Sequence, residues 1–415
     1  MQRRSFLGGA AALAGLSVAA PAWAQGDPWP TLPDLASAAV PISVAERRTR
    51  VARAGELMRQ NDIGAVLVEA GSSLTYFTGI RWGRSERLTA AVLTREGEIA
   101  VITPFFEEPS VRETLALDAE VLTWDEDENP ASALAQWVTA RGLAGGRIGI
   151  EETVRYFAVD GLAAALPDAT IVSGNPVVRG CRMIKSAAEI ALMQIATDIT
   201  MAAARHAAPQ VQAGMAPRDI GALINSATRV LGGAPEFALV LLGEASAYPH
   251  GSGQPQAVRE GEVILLDIGC TVEGYQSDIS RTFVFGEPSR RQREVWAQVQ
   301  QGQQIAFAAA QVGVAAGSVD EAVRGYYQTL GYGPGYQLPG TSHRTGHGIG
   351  LDGHEPVNLV GGETTLLGPG MCFSDEPGIY IPGEFGIRLE DCFHMEDAGP
   401  RWFSTPPPSI DDPFG

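Results

Sequence analysis

Residues 263–285 read Val-Ile-Leu-Leu-Asp-Ile-Gly-Cys-Thr-Val-Glu-Gly-Tyr-Gln-Ser-Asp-Ile-Ser-Arg-Thr-Phe-Val-Phe, two β-like runs on either side of the turn residues Glu273-Gly274. Folded antiparallel about a centre between positions 272 and 273, these runs place Asp267 opposite Asp278 on one face, with Cβ atoms roughly 5 Å apart. The same pattern recurs near the C-terminus, where residues 371–381 and 386–395 flank Pro382-Gly383. Pairing about Gly383 sets Glu376 against Glu390. Like charges facing each other on a sheet destabilise it unless a cation or a shared proton holds them. Four hard oxygen donors in two such pairs suit one metal ion, or two at bridging distance. The competing reading is a register slipped by one residue, or turns that displace the pairs to a solvated face.

Histidine usage sharpens the first reading. The chain has six histidines, and three fall in Ser-His-Arg-Thr-Gly-His-Gly-Ile-Gly-Leu-Asp-Gly-His-Glu-Pro at 342–356, namely His343, His347 and His354. His343 and His347 have helical spacing, but Gly346, Gly348, Gly350 and Gly353 argue for a glycine-rich loop running along a site. His250, in Tyr-Pro-His-Gly-Ser-Gly just before the first hairpin, is a weaker candidate. His206 and His394 read as structural.

The surrounding chain has 415 residues, enough for two or three domains. It is 45% hydrophobic and 19% charged, an ordinary globular composition. With 30 basic against 48 acidic residues the net charge is −18, which argues against nucleic acid or an anionic membrane surface as a partner. Lys185 is the sole lysine and sits at a structural helix start, so Schiff-base chemistry is set aside. Cys181, Cys270, Cys372 and Cys392 show no paired spacing and read as buried free thiols.

Residues 1–24 combine a charged start, a short apolar run and an Ala-Trp-Ala end, which reads as a cleavable export signal. Arg3-Arg4-Ser5-Phe6-Leu7 adds the twin-arginine pattern, so a periplasmic or secreted location is expected. No later run of 18 apolar residues is found. Short strands alternating with helical stretches over 44–172 predict an α/β domain. A turn at Ser173–Pro176 marks the boundary. The span 186–400 opens with two helices and continues as strands and glycine-rich loops, so the chain as a whole is α+β.

Taken together, the residues resemble the pita-bread metallopeptidase superfamily, whose members include aminopeptidase P, prolidase (Xaa-Pro dipeptidase), methionine aminopeptidase and metal-free creatinase. The likeness rests on Asp267 and Asp278 in L-L-D-I-G…S-D-I-S-R-T, on H-R-T-G-H-G-I-G-L-D-G-H-E-P at 343–356, on E-P-G-I-Y at 376–380 and on G-I-R-L-E-D at 386–391. It implies a pita-bread catalytic domain preceded by a creatinase-type α/β domain. It also implies two divalent ions, Mn²⁺ before Co²⁺, Fe²⁺ or Zn²⁺, on Asp267, Asp278, His347, Glu376 and Glu390, with Asp278 and Glu390 bridging. In that reading Glu376 also shuttles a proton, His343 and His354 steady the oxyanion, His250 lies near the leaving side and Arg388 orients a carboxylate. The long N-terminal domain and extra histidines point to Xaa-Pro bonds rather than methionine removal. Family habit implies a homodimer, with the Arg81-Trp82-Gly83-Arg84 loop capping a neighbouring site. The alternative is a lyase or a non-peptide amide hydrolase on the same fold. The lyase branch carries an acidic residue where this chain has Gly269, and creatinase lacks the ligand set.

Overall fold

The structure, a computed structural model, describes residues 31–415, so the export segment expected at 1–24 lies outside the described residues. The first half begins with α1 (Val44–Gln60), whose first turn is capped by the Ser43 hydroxyl accepting from the Glu46 amide. There follow β1 (Ala65–Glu69), α2 (Ser72–Thr78), β2 (Ala90–Thr94), β3 (Ile99–Pro104), α3 (Glu108–Thr114), β4 (Glu120–Trp124), α4 (Pro130–Ala140), β5 (Arg147–Ile150), α5 (Tyr156–Ala165) and β6 (Thr170–Ser173). The strands form one six-stranded sheet in the order β4-β3-β2-β1-β5-β6. Its central strand is apolar at nearly every position because both faces are covered. Val66 and Val68 point into a core shared with Met58 of α1, and Ala65 and Leu67 into a second core with Leu134 and Leu162.

At the expected inter-domain turn the chain instead enters α6 (Asn175–Arg182), with Gly174 as its N-cap and Pro176 in its first turn. Proline is tolerated there because its missing N–H has no helical partner anyway. Val177, Val178 and Cys181 of α6 pack in the same apolar cluster as Leu192 and Ile199 of the second half. The two halves therefore share a core.

The second half starts with α7 (Ala187–Ala207), opened by a reciprocal Ser186/Glu189 capping box, and α8 (Pro217–Val230). By length and composition the helical run Ala187–Gln210 is apolar enough to cross a membrane. In the fold, its Leu192, Met193, Ala196 and Ile199 are core residues. Next come β7 (Ala234–Leu242), β8 (Val263–Val272), β9 (Tyr275–Gln276) and β10 (Ile279–Val284), ordered β10-β8-β7 with β9 on β8. After α9 (Arg290–Ala309) and α10 (Ala316–Thr329), the chain forms β11 (Gly346–Gly348), β12 (Glu355–Leu359), β13 (Cys372–Asp375), β14 (Gly378–Ile381), β15 (Phe385–Arg388), β16 (Asp391–Glu396) and β17 (Gly399–Trp402). These make a five-stranded sheet, β12-β11-β13-β16-β17, and the separate ribbon β14-β15. Helices α7 and α8 pack on the first of these second-half sheets, and α9 and α10 on the strands that follow.

Candidate metal centre

The first hairpin pairs Ser280 with Asp267 and Thr271 with Gln276, so its centre lies between Glu273 and Gly274, one position further on than expected. Both residues have positive φ, 53° and 88°, the conformation of a tight two-residue hairpin turn. Asp278 is thus shifted by two places and lies diagonal to Asp267 rather than opposite it. A two-residue shift preserves the face of every side chain, and the two carboxylates still converge. The shift also explains Gly269, where a Cβ would stand 2.4 Å from the Ser277 carbonyl and 2.5 Å from the Phe237 ring.

The second hairpin has the expected register, with Gly378 opposite Arg388 and Asp375 opposite Asp391. Glu376 and Glu390 fall between the two ladders, where the chain leaves the five-stranded sheet for the β14-β15 ribbon at Pro377. Glu390 is stitched to the β10-β8-β7 sheet, exchanging backbone hydrogen bonds with Ser280 at 3.1 and 3.3 Å. His347 arrives from a third direction on β11, its amide donating to the Ser374 hydroxyl at 3.0 Å. The glycines on either side of it are forced by close approach. A Cβ at 346 would lie 2.1 Å from the Ser374 carbonyl and one at 348 would lie 2.7 Å from the Glu355 carbonyl.

Three overlapping groups of donor atoms result, each within 4.8 Å: Asp267, Asp278 and Glu390; His347, Glu376 and Glu390; Asp278, His347 and His354. All five residues expected as ligands converge. Burial, then the charges of Glu390, Asp267 and Glu376, raise the Asp278 pKa well above the ordinary range. Burial and then Glu376 and Asp267 do the same to Glu390. Glu376 is pushed up to about 7, mainly by burial. Glu390 Oε2 accepts from the Ser280 hydroxyl at 2.7 Å, while Oε1 is buried with no hydrogen-bond partner.

The tautomer of His347 can be deduced. Its Nδ1 lies 3.0 Å from the Gly348 carbonyl, which only accepts, so Nδ1 carries the hydrogen. Burial and the neighbouring His354 hold its pKa down at about 3, leaving the ring neutral. The Nε2 lone pair then faces Glu376 Oε1 at 3.4 Å and Asp278 Oδ2 at 3.7 Å. Acceptors facing acceptors repel, and a divalent cation among them converts that repulsion into coordination. The donor set of carboxylates with one imidazole, and the orphaned Glu390 oxygen, fit such an ion.

The remaining candidates take distinct places around a cavity of about 340 Å³ lined by His250, Asp267, Asp278, His343, His354, Glu376, Arg388 and others. Arg388 is buried and donates to Asp267, to Ser280, to the Pro249 carbonyl and to the Tyr380 hydroxyl, so the carboxylate it orients is Asp267. His354 is exposed, with its ring centroid 3.9 Å from that of His347. His250 is exposed on the rim. His343 departs from its expected part in steadying an oxyanion. Its Nδ1 donates to the Arg344 carbonyl at 2.7 Å and its Nε2 accepts from Tyr380 at 2.6 Å, which leaves no ring donor for a substrate. It holds Tyr380 instead.

Residues 191–397 match the profile of metallopeptidase family M24, and residues 50–184 that of the creatinase/prolidase N-terminal domain. The probable dipeptidase PepE of Mycobacterium tuberculosis is 33% identical over 84% of this chain and 92% of its own. The chain belongs to metallopeptidase family M24. This M24 protein is also 29% identical to the Xaa-Pro dipeptidase of Lactobacillus delbrueckii subsp. lactis, over 84% of this chain and 94% of the relative. The crystal structure of dipeptidase PepE from Mycobacterium ulcerans superposes with a TM-score of 0.82 at 31% identity, covering 89% of this chain and 98% of that one. The α+β pita-bread architecture and the peptidase class follow.

Three residues around this M24 site carry no signal in composition or spacing. Tyr380 links Arg388 to His343. Arg281 forms a fully buried ion pair with Asp391 at 2.6 Å behind Glu390. Asp375, next to Glu376, is buried with both oxygens unpartnered, and burial beside Asp391 raises its pKa well above the ordinary range. The positions of Tyr380 in E-P-G-I-Y and of Arg281 in S-D-I-S-R-T, and of its partner Asp391 in L-E-D, hinted at two of them.

Proposed function

We propose that this metallopeptidase hydrolyses the bond between an N-terminal residue and a following proline, with Asp267, Asp278, His347, Glu376 and Glu390 holding two divalent cations. The observation that carries the reading is the convergence of these five side chains, with the lone pair of a neutral His347 turned toward two carboxylates. Bound cations of this kind supply Lewis-acid polarisation of a carbonyl and acidify water to near neutrality. An oxygen-rich set with one nitrogen favours Mn²⁺, with Co²⁺, Fe²⁺ and Zn²⁺ accommodated.

Glu376, at the cavity edge of the cluster, takes the proton of the attacking water and returns it to the leaving nitrogen. His354, exposed beside His347, donates to the carbonyl oxygen as it gains charge. Arg388 fixes Asp267 through the fork of its guanidinium. The proline preference is supported by relatives named Xaa-Pro dipeptidase. The lyase reading has no support, because position 269 has no room for the acidic side chain that reading needs. The twin-arginine segment supports export, with the metal site filled and folded beforehand.

Hydrolysis of Ala-Pro, Gly-Pro, Met-Ala and Arg-Pro-Pro by chelator-stripped protein resupplied with Mn²⁺, Co²⁺ or Zn²⁺ tests the reading. Metal-restored cleavage confined to Xaa-Pro bonds is the expected result. Cleavage of Met-Ala alone, or no cleavage by protein that holds its metals, contradicts it.

A further inference from the structure

The last rung of the β13-β16 ladder pairs Asp375 with Asp391, and each is the chain neighbour of a member of the metal cluster, Glu376 following the one and Glu390 preceding the other. Successive side chains along a strand alternate between faces, so the two aspartates lie behind the cluster, against α9. Their situations differ. Asp391 accepts from Arg281 at 2.6 and 3.2 Å, from Gln303 Nε2 at 3.0 Å and from the Ser404 hydroxyl. Asp375 is fully buried, and among the described residues neither of its carboxylate oxygens has a hydrogen-bond partner. The side-chain charges that act on it, those of Asp391, Glu390 and Glu376, are all negative. Two more buried oxygens without partners stand beside it. Gln303 Nε2 also lies 3.4 Å from the Asp375 carbonyl, which brings the unpartnered Oε1 of the same amide next to that residue. The unpartnered Tyr327 hydroxyl of α10 rests against Gly302, the residue before Gln303, where a Cβ would lie 2.2 Å from it. After burial, the charge of Asp375 does most to raise the pKa of that hydroxyl.

Acceptors outnumber donors in this group. Both Asp375 oxygens and Gln303 Oε1 only accept, and the Tyr327 hydroxyl supplies a single hydrogen. A buried carboxylate in that position is costly unless a cation meets it. Arg281 does not serve, since its charge is spent on Asp391. A donor set made only of oxygen suits a hard cation, and one carboxylate among neutral oxygens balances a single positive charge. We propose that Asp375, Gln303 and Tyr327 form a binding site for a monovalent alkali cation, separate from the dinuclear cluster and behind it. The ion braces the rung from which Glu376 and Glu390 leave, and so the strands that present these two ligands. The inference does not depend on the Xaa-Pro reading.

The test uses full-chain protein loaded with Mn²⁺, so that the dinuclear cluster is filled, in buffers of equal ionic strength made with tetramethylammonium, Na⁺ or K⁺ chloride. The wild-type midpoint of thermal unfolding is expected to rise saturably with Na⁺ or K⁺ to about 3 °C above its value in tetramethylammonium, the scale for a ligand well above its Kd. In Asp375→Asn, which keeps the shape and removes the charge, that difference vanishes. Wild-type crystals soaked in Tl⁺, standing in for the alkali ion, are expected to show an anomalous peak bounded by Asp375, Gln303 and Tyr327. Equal wild-type midpoints in the three salts, or a salt difference that persists in Asp375→Asn, overturn the proposal and leave Asp375 a neutral acid hydrogen-bonded to its neighbours. A third Mn²⁺ at this place in the same crystals also contradicts it, because the occupant is then divalent. Should Asp375→Asn fail to fold, the Tl⁺ map of the wild type decides, and the absence of a peak there counts against the site.

Discussion

At the scale of single residues the site is governed by charge. Asp278 and Glu390 are buried among other carboxylates, and among the described residues the one arginine ion pair to the five is that of Arg388 with Asp267. Asp278→Asn removes one negative charge from the centre of the cluster and is expected to lose bound metal and at least 10³-fold of activity, checked by metal analysis and kcat/KM. His354→Ala is expected to keep its metal and lose about 10²-fold in kcat, the usual scale for a donor to a developing oxyanion. Loss of metal in His354→Ala would instead make His354 a ligand, as its position near Asp278 and His347 allows. The four carboxylates that converge in the cluster were legible in the sequence as facing pairs, because like charges set against each other on strands are hard to explain otherwise, whereas His347 joined them only through the family resemblance. The role of Tyr380 was not legible, because a tyrosine on a short buried strand looks like an ordinary core residue until its partners are known.

At the scale of elements, the loop bearing His354 is held by its neighbour Glu355. That carboxylate is buried and accepts from Lys185 at 2.9 Å, from Arg182, and from the amides of Leu351 and Asp352 at 3.0 and 3.2 Å. Lys185 is thus the anchor of this loop. Against the cost of burial, the charges of Lys185 and Arg182 lower the Glu355 pKa from 4.5 to about 2. A carboxylate whose folded pKa is depressed stabilises the fold above its unfolded pKa, and that stability is lost as pH falls. The window runs from about pH 4.5 down to about 2, and the amount is on the order of 3 kcal/mol. Glu355→Gln is therefore expected to flatten the acid limb of a denaturation profile over that window. A limb as steep as that of wild type would contradict it. Strand registers show how far an element can be read from sequence. Pro382-Gly383 fixed the second hairpin correctly, whereas in the first the turn residues Glu273-Gly274 were named but the pairing was centred one position too early, because a glutamate at positive φ gives no advance sign of a tight two-residue turn. Short elements such as α2 and β6 lacked enough periodicity to register.

At the scale of the whole molecule, the two halves are clamped by Arg50 of α1. It lies 2.8 Å from Glu46, 3.4 Å from Glu189 and 3.0 Å from the Tyr275 hydroxyl, and it stacks on Tyr76. Arg50→Ala leaves the buried Glu189 uncompensated, so a loss of about 3–5 kcal/mol is expected in denaturant unfolding. A change under about 0.5 kcal/mol would show that the halves do not depend on this clamp. Arg81 and Arg84, expected in a loop that caps a neighbouring site, are engaged within their own chain, by Glu273 and by the Ala70 carbonyl and Thr153. The α/β first half and the α+β character of the second were evident in the sequence from runs of strand and helix, and the pita-bread architecture of the second from the motifs that carry the family resemblance. That they share one apolar core was not, because the Ser173–Pro176 stretch reads as a turn while the packing of α6 is a tertiary fact.

The most direct measurement of the central claim is a titration of chelator-stripped protein with Mn²⁺, following bound metal and Ala-Pro hydrolysis together. Activity absent without metal and rising to a plateau at about two ions per chain is the result the five-residue cluster predicts. Full activity in metal-free protein, or metal bound without any turnover of Ala-Pro, would contradict it.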